Sequence, residues 1–200
     1  MHTTDFARST AVVGGRAIPV REITAVLTLL PSVEASDVNH VVADDRHYVA
    51  AEMHAFLLYW LGVLAHAGRP VFNPPAAPML SSPAWDAPRM RLAAARLGIP
   101  VQPLRRSESG DDDRCEISCS TPTLLTVVGS KCVGIADDVL LRRALTLARA
   151  AGAELLSVYF DGSTADAHFV GADPWPDVSI DQVADEVLAF IAHRRRCDRK

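Results

Sequence analysis

The run TLLTVVGSKCVGI, residues 123–135, constrains the fold more than any other part of this sequence. Thr123 to Val128 is a run of aliphatic and β-branched residues, and Gly129-Ser130 separates it from a second short run that ends at Ile135. Two such runs with a short glycine-containing turn between them are typical of a β-hairpin. We therefore expect the chain to contain an antiparallel sheet.

The segments after this hairpin predict helix and further strand. Asp137 or Asp138 can cap a helix that runs to Ala151 and ends at Gly152. Two strands are then predicted over 154–160 and 167–172, joined through Asp161-Gly162. A last helix begins with the capping box at Ser179 and is predicted to bury Val183, Val187 and Ile191. This part of the chain is therefore predicted to be an antiparallel sheet with helices.

The first half of the chain predicts a helix between short strands. A helix capped by Asp44 or Asp45 is apolar around much of its circumference until Gly68 ends it, which implies deep burial. Residues 21–30 could be either strand or short helix, and their threonine and valine content favours strand. The remaining elements predicted here are a strand over 69–73 and a helix over 88–97.

A polar stretch divides the two halves. The segment RRSESGDDDRCEISCS, residues 105–120, is charged and rich in serine, as surface loops and linkers are. We expect an α/β (α+β) fold with an N-terminal α/β half over 1–103, a polar linker over 104–121 and a C-terminal antiparallel sheet with helices over 122–200.

Charge and hydropathy exclude several classes of partner. A formal net charge of −4 gives no basic face for a nucleic-acid backbone. The N-terminus lacks the apolar core of a signal peptide and no apolar run approaches roughly 18 residues, so we expect a cytoplasmic protein without a membrane partner. The four cysteines form no C-x-x-C pair, which favours reduced thiols over a zinc site.

Three phrases in this order resemble a known enzyme family. They are "GRPVFNPP" with "LGIPVQP", then "TLLTVVGSKCVGI", and finally "AELLSVYFDG" leading to "HFVGADPWP". Together they resemble the ATP-grasp carboxylate ligases, in particular the branch related to ribosomal-protein and peptide-modifying carboxylate-amine ligases. The resemblance implies an ATP-grasp-like fold whose N-terminal half corresponds to the domain that precedes the nucleotide clamp.

The resemblance also implies a site at which a nucleotide and Mg²⁺ would be held, but the residues at the matching positions differ. The two metal-binding acids of the family fall on Tyr159 and Gly171, and the following asparagine position falls on Asp173. A phenol is a poor ligand for a hard cation, and one carboxylate rarely holds Mg²⁺ with a triphosphate. Lys131 and Lys200 are the only lysines, and the polar stretch stands where the first clamping half would be. We expect a truncated, degenerate relative without cofactor or metal, a pseudoenzyme.

These observations lead to a functional hypothesis. We expect a non-catalytic protein, a homodimer, that binds a peptide or a partner enzyme in a natural-product (RiPP) pathway, with a ribosomal precursor peptide as the implied cargo. A sheet edge could capture it by added-strand pairing. Trp85 and Trp175, each beside prolines, are either preorganised anchors or plugs of the core. The candidate peptide- or partner-binding residues are Asn73, Trp85, Arg89, Tyr159, Asp173 and Trp175.

Two other functions remain open. Tyr159 and Asp173 could serve as acid and base of a new reaction in the old cleft, which requires perturbed pKa values. The chain could also be a structural subunit that completes a partner ligase. A metal site on His47 and His54 is a weaker alternative, because helical metal pairs are usually three or four residues apart.

Overall fold

The computed structural model describes residues 10–102 and 122–197, without the side chains of Val13 and of residues 195–197. It mixes helices with antiparallel sheet, which confirms the predicted fold class. The described residues divide into two compact units, 10–81 with 191–197, and 82–102 with 122–190. The predicted linker over 104–121 lies outside the described residues.

The first unit contains two small sheets and one long helix. Strands β1 (Thr10–Val13) and β2 (Arg16–Pro19) form an antiparallel hairpin, and β3 (Val26–Leu27) pairs in parallel with β4 (Val71–Phe72). Within the strand predicted over 21–30, only Val26 and Leu27 are strand. A 3₁₀ turn occupies Val20–Glu22.

Helix α1 (Arg46–His66) follows the predicted boundaries but not the predicted burial. It ends before Gly68, whose φ of 72° provides the left-handed conformation that glycine adopts without strain. Leu61 and Leu64 are buried with Val71 and Leu80 in the core of this unit. The prediction of deep burial was wrong, because only one side of the helix packs on this core and its aromatic side chains on the other side are exposed.

The same helix corrects a second expectation. Among the described residues, one helical segment, Ala43–His66, is long and apolar enough to cross a membrane by length and composition. Core helices of globular proteins also pass this criterion, so it indicates an unusually apolar helix and nothing more. The sequence-based expectation that no apolar run approaches this length was wrong.

The second unit is built on a four-stranded antiparallel sheet in the order β6-β5-β7-β8. The strands are β5 (Thr123–Val128), β6 (Lys131–Val133), β7 (Leu155–Phe160) and β8 (Phe169–Asp173). The hairpin predicted from residues 123–135 is confirmed as β5 and β6. Strand β8 lies at one edge of the sheet and pairs with β7, the strand before it in the chain.

Three helices accompany this sheet: α2 (Ala87–Arg96), α3 (Asp138–Ala151) and α4 (Asp181–Cys197). Helix α3 begins where the sequence predicted, since the Asp137 side chain accepts a hydrogen bond of 2.7 Å from the Val139 N–H. It ends at Gly152, which has a φ of 64°. Helix α4 buries Val183 and Val187 as predicted, whereas Ile191 is half-buried.

The core of the second unit lies on one face of the sheet. Alternate residues of the strands pack there against α2 and α3; the fully buried ones include Leu125, Val127, Val158, Phe160 and Phe169. The Phe160 and Phe169 rings meet edge to face with centroids 6.4 Å apart. Residues of the opposite parity, among them Tyr159 and Asp173, lie on the other face.

Candidate functional site

A groove lies where the edge of the sheet meets the start of α2. Its volume is about 240 Å³, and its lining residues all belong to the second unit: Trp85, Ala87, Met90, Tyr159, Val170, Gly171, Ala172 and Asp173. The strand β8 supplies four consecutive residues of this lining, and the segment that enters α2 supplies the other wall.

The wall from α2 is held in place by a cap and by one arginine. Asp86 accepts a hydrogen bond of 2.8 Å from the Arg89 N–H, which satisfies a free donor of the first helical turn. Met90 is buried in the core below. The Arg91 guanidinium donates to the carbonyl oxygens of Gln102 and Val170, at 3.1 and 3.5 Å. The helix that carries the Trp85 side of the groove is thereby tied to β8.

The polar part of the groove comes from two neighbouring strands. Tyr159 of β7 lies opposite Gly171 of β8, and Ser157 lies opposite Asp173, so Tyr159 and Asp173 are diagonal neighbours on one face of the sheet. The Asp173 carboxylate lies close enough to the Tyr159 phenol to raise its pKa. Gly171 contributes no side chain, and an added Cβ there would have no heavy atom within 4 Å other than its chain neighbours. The space beside the phenol is therefore open.

The surroundings of Tyr159 disfavour ionisation of its phenol. Partial burial raises the pKa of Tyr159, and the nearby carboxylates of Asp173 and Asp177 raise it further. Both carboxylates act in the same direction and disfavour the charged form of the phenol.

The structure brings together three of the six residues that the sequence singled out. Trp85, Tyr159 and Asp173 line the groove, whereas Arg89 is exposed on α2 and is not part of the lining. Trp175 is half-buried, and its Nε1 is buried without a hydrogen-bond partner among the described residues.

The sixth residue, Asn73, belongs to the first unit. It is buried, at 1 % exposure, and has a φ of 48°. A left-handed backbone of this kind is more common for asparagine than for most residues, which gives Asn73 a local structural role after β4.

Sequence reasoning missed the residues that α2 contributes, Ala87 and Met90. They lie about 80 positions before β8 in the chain, and no periodic pattern links segments that far apart. The proline-flanked Trp85 was the one available signal for this wall, because rigid aromatic turns often border binding sites.

The residues at the positions implied by the resemblance do not fit Mg²⁺. Tyr159, Gly171 and Asp173 do converge, but together they provide one carboxylate, and a phenol with a raised pKa stays neutral. Across residues 10–102 and 122–197, no group of three or more His, Cys, Asp or Glu side chains is arranged to hold a metal ion.

His54 and Lys131 have structural partners. The His54 ring accepts from the Val33 N–H at 3.2 Å and lies 2.7 Å from the Pro78 carbonyl oxygen through Nε2, so both ring nitrogens are used within the first unit and none is left for a metal shared with His47. Lys131, whose side chain is 64 % exposed, forms an ion pair of 2.6 Å with Glu186.

Comparisons with known proteins give one distant structural likeness to report. No protein-family model and no curated protein matches the sequence. Among solved structures, the chain is similar to the macrocyclase MdnB from Microcystis aeruginosa MRC, with 10% sequence identity, a TM-score of 0.47, and coverage of 90% of this chain and 75% of that chain.

Proposed function

We propose that this protein is a non-catalytic peptide-binding protein of a natural-product pathway, and that its groove holds one basic side chain of a precursor peptide. The observation that carries the proposal is the convergence of Tyr159 and Asp173 with Trp85 in one groove. On this proposal the chain is a shortened relative of ATP-grasp ligases that has kept the position of their site and changed its use.

The size of the groove favours a side chain over a whole small molecule. Small-molecule sites commonly occupy roughly 300–1,000 Å³, whereas this groove measures about 240 Å³. A lysine or arginine side chain could enter it while the rest of a peptide remains on the surface. The sequence resemblance to ligases that act on peptides supports the same class of ligand.

The charge of the groove favours a cation. Asp173 lies in the lining, and Asp177 adds to the negative potential at Tyr159. The rings of Trp85 and Tyr159 can also attract a cation through their faces. A guanidinium group would be held by the Asp173 carboxylate through charge-assisted hydrogen bonds.

The same electrostatics supports holding over proton transfer. General acid catalysis works best when the pKa of the acid lies near the working pH, and the neighbouring carboxylates shift the pKa of Tyr159 away from neutrality. This weakens the alternative in which Tyr159 and Asp173 act as acid and base.

The edge of the sheet is less suited to capture by added-strand pairing than the sequence suggested. The Phe169 N–H already donates to the Pro100 carbonyl at 2.7 Å, and its carbonyl oxygen accepts from the Gln102 N–H at 3.4 Å. Ala172, further along β8, is only 7 % exposed. We therefore assign recognition to the side chains of the groove.

The test is a titration with peptides selected from a random displayed library and resynthesised with arginine, citrulline or leucine at the selected basic position. Citrulline keeps the shape of arginine without its charge, so we expect at least tenfold weaker binding, by calorimetry, for citrulline and leucine. Equal affinity of the three peptides would contradict the basic-side-chain proposal. Separate titration with ATP and Mg²⁺ tests the non-catalytic part, which micromolar nucleotide binding would contradict.

A further inference from the structure

The exposed side of α1 carries an aromatic surface that the groove does not use. Tyr48, Phe56 and Tyr59 are 69, 61 and 67 % exposed. Glu52 and Ala55 lie between them on the same side of the helix and are also exposed. These five residues are called the aromatic face of α1.

One row of side chains runs along this side of α1, through the aromatic face and into the last turn. Tyr48, Glu52, Ala55, Tyr59, Gly62 and His66 follow one another at alternating intervals of four and three residues. A row with this spacing stays on one side of a helix, so a second helix can contact it along its length. We propose that the occupant of this face is the α1 helix of a second copy of the chain, in an antiparallel pair about a two-fold axis near residue 57.

The residue sizes are self-complementary in that arrangement. In a two-fold antiparallel pair, residues whose numbers add to the same value lie opposite each other. Around residue 57, Tyr59 of one protomer lies opposite Ala55 of its partner, and Glu52 lies opposite Gly62. The large side chain meets a small one in these two central pairs, so the helices could approach closely there, whereas Tyr48 lies opposite His66 at the two ends.

The charges agree with the same orientation. Asp44 and Asp45 lie in the 3₁₀ turn before α1 and Glu52 in its second turn, whereas His66 lies in the last turn. Antiparallel pairing brings each acidic end to the histidine end of the partner and opposes the two helix dipoles. A membrane surface is a poorer fit, because interfacial helices carry lysine and arginine on their polar side. Arg46, the one basic residue within 41–60 apart from histidine, donates to the carbonyl oxygens of Val41 and Asn39.

The exposed area is of the size that a dimer needs. Since a buried aromatic side chain contributes roughly 150–250 Å², the exposed parts of Tyr48, Phe56 and Tyr59 amount to roughly 300–500 Å². A stable interface buries about 800 Å² on each partner. The three aromatic residues would supply about half of this area, and the other exposed residues of the aromatic face, Glu52 and Ala55, would add to it.

The experiment measures the mass of the full-length protein by sedimentation equilibrium. We expect a dimer for the wild type, at least tenfold weaker association for Tyr59→Arg and for Phe56→Arg, and an unchanged dimer for Leu188→Arg. Leu188 is a matched control, since it is 63 % exposed on a different helix. A monomeric wild type at tens of micromolar, or loss of the dimer in Leu188→Arg alone, would overturn the proposal. Circular dichroism verifies that each variant is folded, and Tyr48→Arg replaces any variant that is not.

Orientation and the competing occupant are tested separately. In a mixture of Ala55→Cys and Tyr59→Cys proteins, antiparallel pairing predicts faster oxidative cross-linking between the two variants than within either one, as mapped by mass spectrometry. Preferential linking of like positions would indicate parallel helices and contradict the arrangement. Binding of the wild type, but not of Tyr59→Arg, to phosphatidylcholine–phosphatidylserine vesicles would show that a membrane is the occupant instead.

Discussion

Tyr159 and Gly171 lie directly opposite each other across the ladder between β7 and β8. Because glycine has no side chain, the space beside the phenol stays open and becomes part of the groove that also contains Trp85 and Asp173. The proposed recognition of a basic side chain depends on this space.

Filling this space should abolish peptide binding without damaging the fold. Gly171 has no positive φ and no close neighbour at its Cβ position, so Gly171→Val is compatible with the backbone. Valine also suits a strand better than glycine does, and we expect the free energy of unfolding to change by less than about 1 kcal/mol. Affinity for an arginine peptide should fall at least tenfold by calorimetry, with a smaller decrease for Gly171→Ala. Unaltered affinity in the valine variant would place the ligand elsewhere.

Removing the charge of the groove should weaken binding of basic peptides specifically. We expect Asp173→Asn to lower the affinity for an arginine peptide about tenfold, since a hydrogen bond to a charged group contributes roughly 1.5–3 kcal/mol before screening by solvent. The dependence of binding on salt should decrease as well. Asp185→Asn, an exposed acidic position on α4, serves as the matched control. If both variants lose the same affinity, the effect is one of net charge and not of the groove.

The raised pKa of Tyr159 predicts a loss of stability at alkaline pH. A group that releases its proton less readily in the folded than in the unfolded state contributes stability below its unfolded pKa, and this contribution is lost as pH rises. The contribution of Tyr159 should therefore be present below about pH 10 and decrease as the pH rises through the higher folded pKa. Urea unfolding of the wild type and Tyr159→Phe over this range measures the difference. Parallel pH profiles of the two proteins would show that Tyr159 makes no such contribution.

The turn between β5 and β6 should tolerate substitution less well than the end of α3. Gly129 has a φ of 60°, and a Cβ there would lie 2.5 Å from the Phe190 ring, whereas Gly152 has a φ of 64° and open space. Gly152→Ala should cost roughly 1–2 kcal/mol for the left-handed backbone, and Gly129→Ala roughly 1–3 kcal/mol more because the ring must move. Denaturant unfolding of both variants gives the comparison, and equal losses would show that Phe190 moves freely.

The Cys132 thiol should react slowly in the folded protein. Burial raises the pKa of Cys132 from 9.0 to about 11, and the thiolate is the reactive species. At pH 8 we expect alkylation of Cys132 by iodoacetamide to be at least tenfold slower in the native than in the urea-unfolded protein, as followed by mass spectrometry of the peptide that contains it. Equal rates would mean that β6 opens readily to solvent.

Local signals in the sequence predicted the elements of the second unit well. Asp137 and Gly152 mark the two ends of α3 by capping chemistry that acts within a few residues. The wall of the groove formed by α2 was not predictable in this way, because its position depends on Arg91 reaching Val170. The exposed side of α1 could not be predicted either, since a helix that is apolar all around has no pattern to show which side faces the core.

The register shift between Tyr159 and Phe160 determines which residues of β8 lie beside the phenol. Phe160 pairs with Phe169 but Tyr159 pairs with Gly171, so β8 contains one extra residue at Val170. In an uninterrupted ladder, Tyr159 would face Val170, and Asp173 would point to the same side as Phe160. In that register Ala172 would lie opposite Ser157, on the face that carries the phenol. The extra residue at Val170 thus determines which face of the sheet receives the Asp173 carboxylate.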